Sequence, residues 1–375
     1  MRRPNRLAAA LLAGLIAAPG AAFAQDTGEG DAPRSATLDD SLALETVASA
    51  IDDAIRPGYQ AFADATREEA LKVETLCSEP SESALSKAKE GFGDLVSAFS
   101  GVEFIRFGPI REENRLERIL FFPDPRGVTR RQVEQLLAEK DETAAEVETL
   151  AQKSVAVQGL PALEFVLFGE GSEALNGSDA AYRCAYGAAI SQNLVNMADA
   201  ITEAWGDDSG IYQRLTAPEA DDPAYRSASD SIGELVSVFT DGLEIIRDQR
   251  IRPALGEEGN SPKPYLFLVN RSGNALNALK ADFAGLKSLF EAAGFAEVLP
   301  EEQVYLQDSI GLEFEQIVAT LGDIEAPLSE TAASEETRGK LDYAMIAARS
   351  LRSQFENQLA ASLGLSTGFS SLDGD

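Results

Sequence analysis

Glu164 is the residue in this chain whose surroundings point most clearly to chemistry. The apolar segments 159–163 and 165–168 flank it on both sides. Pro161 suits the first turn of a helix, where its missing N–H is not needed, and a helix N-terminus favours a nearby carboxylate. The apolar neighbours predict that Glu164 is buried, and a buried carboxylate needs a partner. The pattern therefore indicates either a capping or ion-pairing glutamate or a polar group in a ligand site.

The absence of histidine restricts the chemistry available to the chain. Ser-His-Asp and Cys-His catalysis and all histidine-based zinc sites are excluded. Asp124 lies between Pro123 and Pro125 in a stretch that can be neither a helix interior nor a central strand. In such a rigid loop it could bind a cation or cap the helix predicted to begin near Thr129, and the cap is favoured.

Helical patterns occupy most of the chain and predict an all-α fold. Apolar residues recur at spacings of three and four from Tyr59 to Cys77, which defines one buried helix face. No series of strands with period-two alternation is present. Further helices are predicted at about 82–106, 129–140, 142–157, 161–169, 180–205, 228–251, 264–293, 300–322 and 332–363.

Two helical-bundle domains are predicted, at 38–205 and 228–375. Residues 206–227 are rich in Asp, Gly, Pro and Ser and are the predicted linker. The segment 95–106 recurs at 235–247 with one inserted residue. An internal duplication of one bundle explains this repeat, and chance similarity between two amphipathic helices is the alternative.

The N-terminus has the pattern of a cleavable signal peptide. Three arginines precede the apolar segment 7–19, and residues 22–24 read Ala-Phe-Ala, so residues 1–24 are predicted to be removed after Ala24. Residues 25–37 are predicted to form a disordered leader. No segment is apolar for the roughly 20 residues that a spanning helix needs, which indicates no membrane span. The predicted location is the periplasm.

The chain is strongly acidic, with a formal net charge of −30 that becomes about −33 without the signal peptide. Such a charge repels phosphate backbones and anionic lipid surfaces, so nucleic acid is not expected as a partner. Diffuse negative charge attracts cations only weakly and without selectivity. Solubility or adaptation to salt accounts for the charge without any specific partner.

Two cysteines, Cys77 and Cys184, occur in a chain predicted to be exported to an oxidising compartment. One disulfide between them is the simplest interpretation. Two buried free thiols are the alternative.

The segment 155–169 resembles the signature segment of the imelysin family. Four further pieces occur in the order that the family shows: 106–109 (RFGP), 122–126 (FPDPR), Arg183-Cys184 before a long helix ending at Trp205, and 270–273 (NRSG). The resemblance implies two helical bundles, an envelope location and an association with iron acquisition. It also brings a metallopeptidase label, which is attached to a Gly-x-His-x-x-Glu motif.

This chain departs from that motif at its histidine position. Gly159 and Glu164 match, but Pro161 takes the place of the histidine. Proline offers no lone pair to a metal and no proton to a general base, so both roles are lost there. The Gly-x-Pro-x-x-Glu form is interpreted as a feature of a subfamily.

The resemblance also implies a ligand site between the two bundles, composed of Glu164, Arg106, Arg271, Asp124, Gly159 and Ser272. The fork of Arg106 or Arg271 can hold a carboxylate of the protein or of a ligand. A structural salt bridge between the domains is the alternative. Glu164 and Asp124 are the candidate metal ligands, and iron or another divalent cation would be the metal.

Three functions remain open on the sequence alone. The first is a non-enzymatic periplasmic protein that binds a metal, a metal chelate or a small ligand for uptake. The second is a metallopeptidase with a carboxylate-based metal site, which is disfavoured because zinc proteases recruit imidazole ligands. The third is a scaffold that presents a surface to an envelope protein partner.

Overall fold

The structure, a computed structural model, describes residues 38–177, 180–206, 210–256 and 261–365, all of which lie in one compact unit. These residues are mostly helical and contain no strand, which confirms the all-α prediction. The predicted signal peptide (1–24) and leader (25–37) lie outside the described residues. None of the helices described is long and apolar enough to cross a membrane.

The helices follow one another with short connections. They are α1 Asp40–Ala50, α2 Arg56–Ser78, α3 Glu82–Ser100, α4 Arg115–Ile119, α5 Val128–Glu139, α6 Val147–Leu150, α7 Gly159–Phe168, α8 Ala181–Gly206, α9 Ile211–Thr216, α10 Ala228–Ile245, α11 Arg252–Leu255, α12 Ala275–Ala293, α13 Tyr305–Gly322, α14 Leu328–Thr331, α15 Glu335–Gln354 and α16 Ala360–Ser362. Short π-helical segments continue α1 into α2 (Ile51–Ile55), α10 into α11 (Ile246–Ile251) and α15 into α16 (Phe355–Leu359).

Three predicted helices are wrong in part, and the first of them, at 82–106, is too long because α3 ends at Ser100. The prediction at 142–157 gives way to α6 between two short 3-10 turns. The Asp141 carboxylate accepts the backbone N–H and the hydroxyl of Thr143, and such local bonds compete with a helix. The prediction at 264–293 is correct only from Ala275 onward, because an irregular segment precedes α12.

Helices of the two halves of the chain pack directly on one another. In the first half, α2 packs against α3 and α8, and the Cys77–Cys184 disulfide joins the end of α2 to the start of α8, as predicted. However, α1 packs against α10 and α12 of the second half, and α3 also contacts α12. The predicted linker contains α9. The division into two bundles and the duplication stay predictions.

Glu69 lies where α2 packs against α3 and is fully buried. A Cβ placed on Gly91 of α3 would meet its Oε2 at 2.2 Å, so the glycine provides the space that the carboxyl group fills. Neither carboxyl oxygen has a hydrogen-bond partner among the described residues. Burial raises the pKa of Glu69 to about 9, although the neighbouring charge of Lys72 opposes the rise. Glu69 is therefore a neutral acid at pH 7.

We expect Glu69→Gln to stabilise the protein at pH 8 and to have little effect at pH 4. Since the folded pKa exceeds the unfolded value, the contribution of Glu69 is fully present below about pH 4.5 and is lost as the pH rises towards 9. Removing the titration should recover about 2–3 kcal/mol at pH 8, after allowance for relaxation around the group. Urea unfolding at several pH values measures this. The exposed Glu68, changed to Gln, is the matched control, and an equal gain at both pH values would contradict the prediction.

Candidate functional site

A cleft of about 790 Å³ lies where segments from both halves of the chain meet. The first half contributes residues 121–127 and the first turns of α7, and the second half contributes Gln249, Pro253 and the segment 265–271. Most of the lining is apolar and includes several aromatic rings. A cleft of this size and character is typical of sites for small organic molecules.

The start of α7 is fixed by Gly159, which has a φ of +76°. A Cβ at this position would lie 2.2 Å from the carbonyl oxygen of Arg118 and 2.4 Å from that of Ile119. Only glycine permits both this φ and this approach of two backbone segments. Gly159 does not line the cleft, so its observed role is packing. Pro161, in the first turn, does line the cleft.

Glu164 is buried at the cleft, with only 6% of its surface exposed. The backbone N–H of Ser272 donates to its Oε1 at 2.8 Å, and Nη1 of Arg271 lies 3.5 Å from its Oε2. Burial raises the pKa of Glu164, while the N–H of Ser272 and the charge of Arg271 oppose the rise. The predicted pairing of Glu164 with Arg271 is therefore present, and it ties α7 to the segment before α12.

The segment that carries Arg271 has an unusual backbone. Val269 has a φ of +44°, a left-handed conformation that a β-branched residue rarely adopts and that costs about 1–3 kcal/mol. The hydroxyl of Ser272 donates to the Val269 carbonyl at 2.8 Å, and Glu164 accepts from the N–H of the same serine. Glu164 thus helps to hold a strained segment at the cleft. Strain of this kind is often found at functional sites.

Arg271 lies over an aromatic ring of the cleft. Its guanidinium carbon is 4.9 Å from the centroid of the Phe165 ring, and 36% of its side chain is exposed. A guanidinium has five N–H donors, and Glu164 engages Arg271 only at the long distance of 3.5 Å. The residue can therefore present donors to a molecule in the cleft while it remains stacked on Phe165.

Asp124 caps α5. Its two carboxylate oxygens accept the backbone N–H groups of Val128 and Thr129, each at 2.8 Å. Asp124 also lines the cleft, but its oxygens are engaged by the helix N-terminus. The favoured interpretation of Asp124 as a cap agrees with this geometry.

Arg106 does not pair with Glu164, contrary to what the resemblance implied. Its Nε donates to the Glu103 carbonyl at 3.3 Å, and burial lowers the pKa of its guanidinium while the charge of Glu103 opposes that fall. The loop after α3 directs Arg106 to a charged cluster behind the cleft, defined by Glu103, Arg250 and Asp282. Among the described residues, the partners of Glu164 are Arg271 and Ser272.

This charged cluster was not predicted from the sequence. Arg250 binds both oxygens of Glu103 at 2.7–2.9 Å, and neither side chain is more than 2% exposed. Asp282 is also buried, and burial and the adjacent charge of Glu103 raise its pKa well above the ordinary value. The Arg250 guanidinium lies 4.7 Å from the centroid of the Phe122 ring, which lines the cleft. The cluster therefore supports the cleft wall from behind.

Among the predicted site residues, Glu164, Arg271 and Asp124 line the cleft, while Ser272 contacts it through its N–H bond to Glu164. Ser272 itself lines a smaller polar pocket of about 430 Å³. Arg126 and Arg130 also line the cleft, together with Asn270, although the sequence did not single them out. The segments 122–126 and 270–273 contain Arg126 and Asn270 and could have indicated those two, whereas Arg130 lies outside both segments.

The described structure is thus an all-helical protein whose two halves share one cleft. The imelysin family model, Peptidase M75, matches residues 55–355, so the chain belongs to the imelysin family. No curated protein matches the chain.

Two crystal structures share this fold. An imelysin-like protein from Psychrobacter arcticum 273-4 superposes with a TM-score of 0.75 at 20% identity, over 89% of this chain and 99% of that one. A putative iron-regulated protein A precursor from Parabacteroides distasonis ATCC 8503 superposes with a TM-score of 0.69 at 13% identity, over 88% of this chain and 97% of that one. At these identities the likeness concerns the fold.

The family's label implies a metal, but the cleft residues do not fit a resident metal ion. Both oxygens of Asp124 accept backbone N–H groups, and Oε1 of Glu164 does the same. Within the described ranges, no three acidic or cysteine side chains come together in a way that could hold a metal ion. Pro161 stands where the family motif has its histidine.

Proposed function

We propose that this protein is a non-enzymatic periplasmic binding protein that holds a metal chelate or another small organic ligand in the cleft, as part of iron acquisition. The observation that carries the proposal is the cleft itself, about 790 Å³ and mostly apolar, with the buried Glu164 paired to the partly exposed Arg271 in its wall. A few placed polar groups in an apolar cleft are typical of ligand sites.

The proposal favours a chelate over a bare cation because the carboxylates of the cleft are already engaged by N–H groups. A bare cation would have to displace those bonds. The link to iron is supported by the description of the Parabacteroides distasonis protein as iron-regulated, and export is supported by its description as a precursor. The signal-peptide pattern of residues 1–24 agrees with export.

A catalytic role finds less support. The chain has no histidine to transfer protons, and Glu164 is bound to a backbone N–H and to an arginine that hold its orientation. These contacts are suited to fixing the shape of the cleft wall. A peptidase would also need a metal-bound or otherwise activated nucleophile, for which the described residues provide no set of ligands.

We expect native mass spectrometry of the mature protein to show a one-to-one adduct with at least one member of a ferric chelate panel. The panel contains ferric citrate, the ferric complex of 2,3-dihydroxybenzoate and ferrioxamine B, with Fe²⁺ and Zn²⁺ salts alongside. Gln249→Trp should weaken the adduct because the indole occupies part of the cleft, whereas Gln60→Trp on the exposed face of α2 should not. Absence of every chelate adduct, or adducts with the salts alone, would overturn the proposal.

A further inference from the structure

The protein is strongly acidic, but its cleft is lined by more basic than acidic side chains. The chain has 62 acidic and 32 basic residues, yet three arginines line the cleft: Arg126, Arg130 and Arg271. Among the residues that the structure describes, two carboxylates, Asp124 and Glu164, line it with them. In a strongly acidic protein, such a local excess of arginine needs an explanation at the cleft itself.

Both carboxylates of the cleft are already engaged by other groups of the protein. Asp124 points its oxygens at the N-terminus of α5, and Glu164 is paired with Arg271 and with the N–H of Ser272. Burial also raises the pKa of Glu164, which favours its neutral form. With Glu164 and Arg271 offsetting each other, Arg126 and Arg130 outnumber Asp124, so the described lining has a small net positive charge.

Arg126 and Arg130 are only weakly committed to other groups. Arg130 forms a long ion pair of 3.8 Å with Glu134 on the surface of α5, and exposed ion pairs of this kind contribute little to stability. Both residues are exposed at the cleft. An arginine fork is well matched to a carboxylate or another planar oxyanion, so these two residues and Arg271 can bind an anionic group together.

Asn270 provides a second, independent indication of the kind of ligand, because its side-chain oxygen lacks a hydrogen-bond donor. Its Oδ1 is buried and has no hydrogen-bond partner among the described residues, while Asn270 lines the cleft beside the strained Val269. A buried carbonyl oxygen normally receives a hydrogen bond. Rotation of the Asn270 side chain towards the cleft would bring this oxygen within reach of an O–H or N–H group of a ligand.

The apolar wall favours a flat ring as the body of the ligand. The Phe122 ring lines the cleft and is held from behind by Arg250, whereas Phe165 is 3% exposed and lies beneath Arg271. Tyr265 is 70% exposed on the same lining. Aromatic rings of this kind pack well against a planar aromatic ligand.

We propose that the cleft selects an aromatic organic anion that carries a hydroxyl or amide donor, of which a catecholate chelate is an example. Arg126, Arg130 and Arg271 bind the anionic group, and Asn270 accepts from the donor. This inference rests on the proposed function and specifies its ligand. Any metal is held by the chelator and not by the protein.

Isothermal titration calorimetry with the mature protein tests the inference with three probes. They are the ferric complex of 2,3-dihydroxybenzoate, which is aromatic and anionic; ferric citrate, which is anionic without a ring; and ferrioxamine B, which is cationic. We expect the affinities to fall in that order, and the first to weaken as salt is added because its charge is screened. Arg126→Gln and Arg130→Gln should each weaken it about tenfold, which corresponds to a charge-assisted hydrogen bond of about 1.4 kcal/mol.

Arg226→Gln is the matched control, since it removes the same charge from an exposed arginine outside the cleft lining. It should leave the affinities unchanged. Binding of ferrioxamine B as tightly as the anionic probes, or insensitivity to the Arg126 and Arg130 changes, would refute the ligand class while the proposed function stands. Absence of binding by all three probes would refute both.

Discussion

Arg250→Met is expected to lower the free energy of unfolding by about 3–5 kcal/mol, because it leaves a buried carboxylate without its cation. Arg250 is 1% exposed and binds both oxygens of Glu103, itself 2% exposed. Methionine fills a similar volume but offers no charge and no donor. Glu103 would then have to ionise without a bound guanidinium or take up a proton, and either outcome favours the unfolded state. Urea unfolding at pH 7, followed by circular dichroism, measures the loss.

A double substitution separates the pair from its surroundings. If the loss comes from the unpaired Glu103, then adding Glu103→Met to Arg250→Met should recover most of it, since an apolar pair replaces a buried ion pair at little cost. Asp282→Asn is the second control. Burial and the adjacent charge of Glu103 raise the pKa of Asp282, which favours its neutral form, so we expect the amide to be tolerated at this position. A double variant no more stable than Arg250→Met would show that packing around Arg250 accounts for the loss.

The same cluster has a consequence for the cleft. Arg250 lies against the face of the Phe122 ring, which forms part of the cleft wall. The Glu103–Arg250 pair is therefore placed to fix the orientation of that ring. Arg106, whose segment suggested a role beside Glu164, belongs to this supporting layer.

The local sequence pattern was enough to predict the burial of Glu164 and the positions of most helices. α7 is apolar on all its faces, which is typical of a helix surrounded by protein, so the burial of Glu164 could be inferred from its neighbours along the chain. Its pairing with Arg271 came from family resemblance, because no local rule relates residues 107 positions apart. The glycine and proline that start α7 could likewise be interpreted from their own backbone preferences.

The charged cluster could not be predicted in this way. Glu103, Arg250 and Asp282 come from three distant segments, and each resembles the many exposed charges of an amphipathic helix. Their burial depends on how α12 packs against the end of α3 and the π-helical segment before α11, which is a tertiary property. The left-handed Val269 is similar, because its conformation opposes the preference of valine and its carbonyl accepts a hydrogen bond from the distant side of the turn, the Ser272 hydroxyl.

We expect removal of the Cys77–Cys184 disulfide to destabilise the protein by a similar amount. This change acts mainly on the unfolded state, whereas Arg250→Met acts on the folded state. The bond closes a loop of 107 residues between the end of α2 and the start of α8. In the chain-entropy model, a loop of this length contributes about 4–5 kcal/mol by restricting the unfolded chain. The paired change Cys77→Ser and Cys184→Ser should therefore lower the free energy of unfolding by that amount and leave the helical circular dichroism of the folded protein unchanged.

The denaturant dependence distinguishes this effect from the loss of a native contact. An unbridged chain expands further on unfolding and exposes more surface, so the dependence of unfolding on urea should become steeper in the serine variant. Arg250→Met should leave that slope unaltered, because it changes the folded state. Wild-type protein in reductant is the matched control and should coincide with the serine variant. A loss of stability with an unchanged slope would mean that the bond acts mainly within the folded α2–α8 packing.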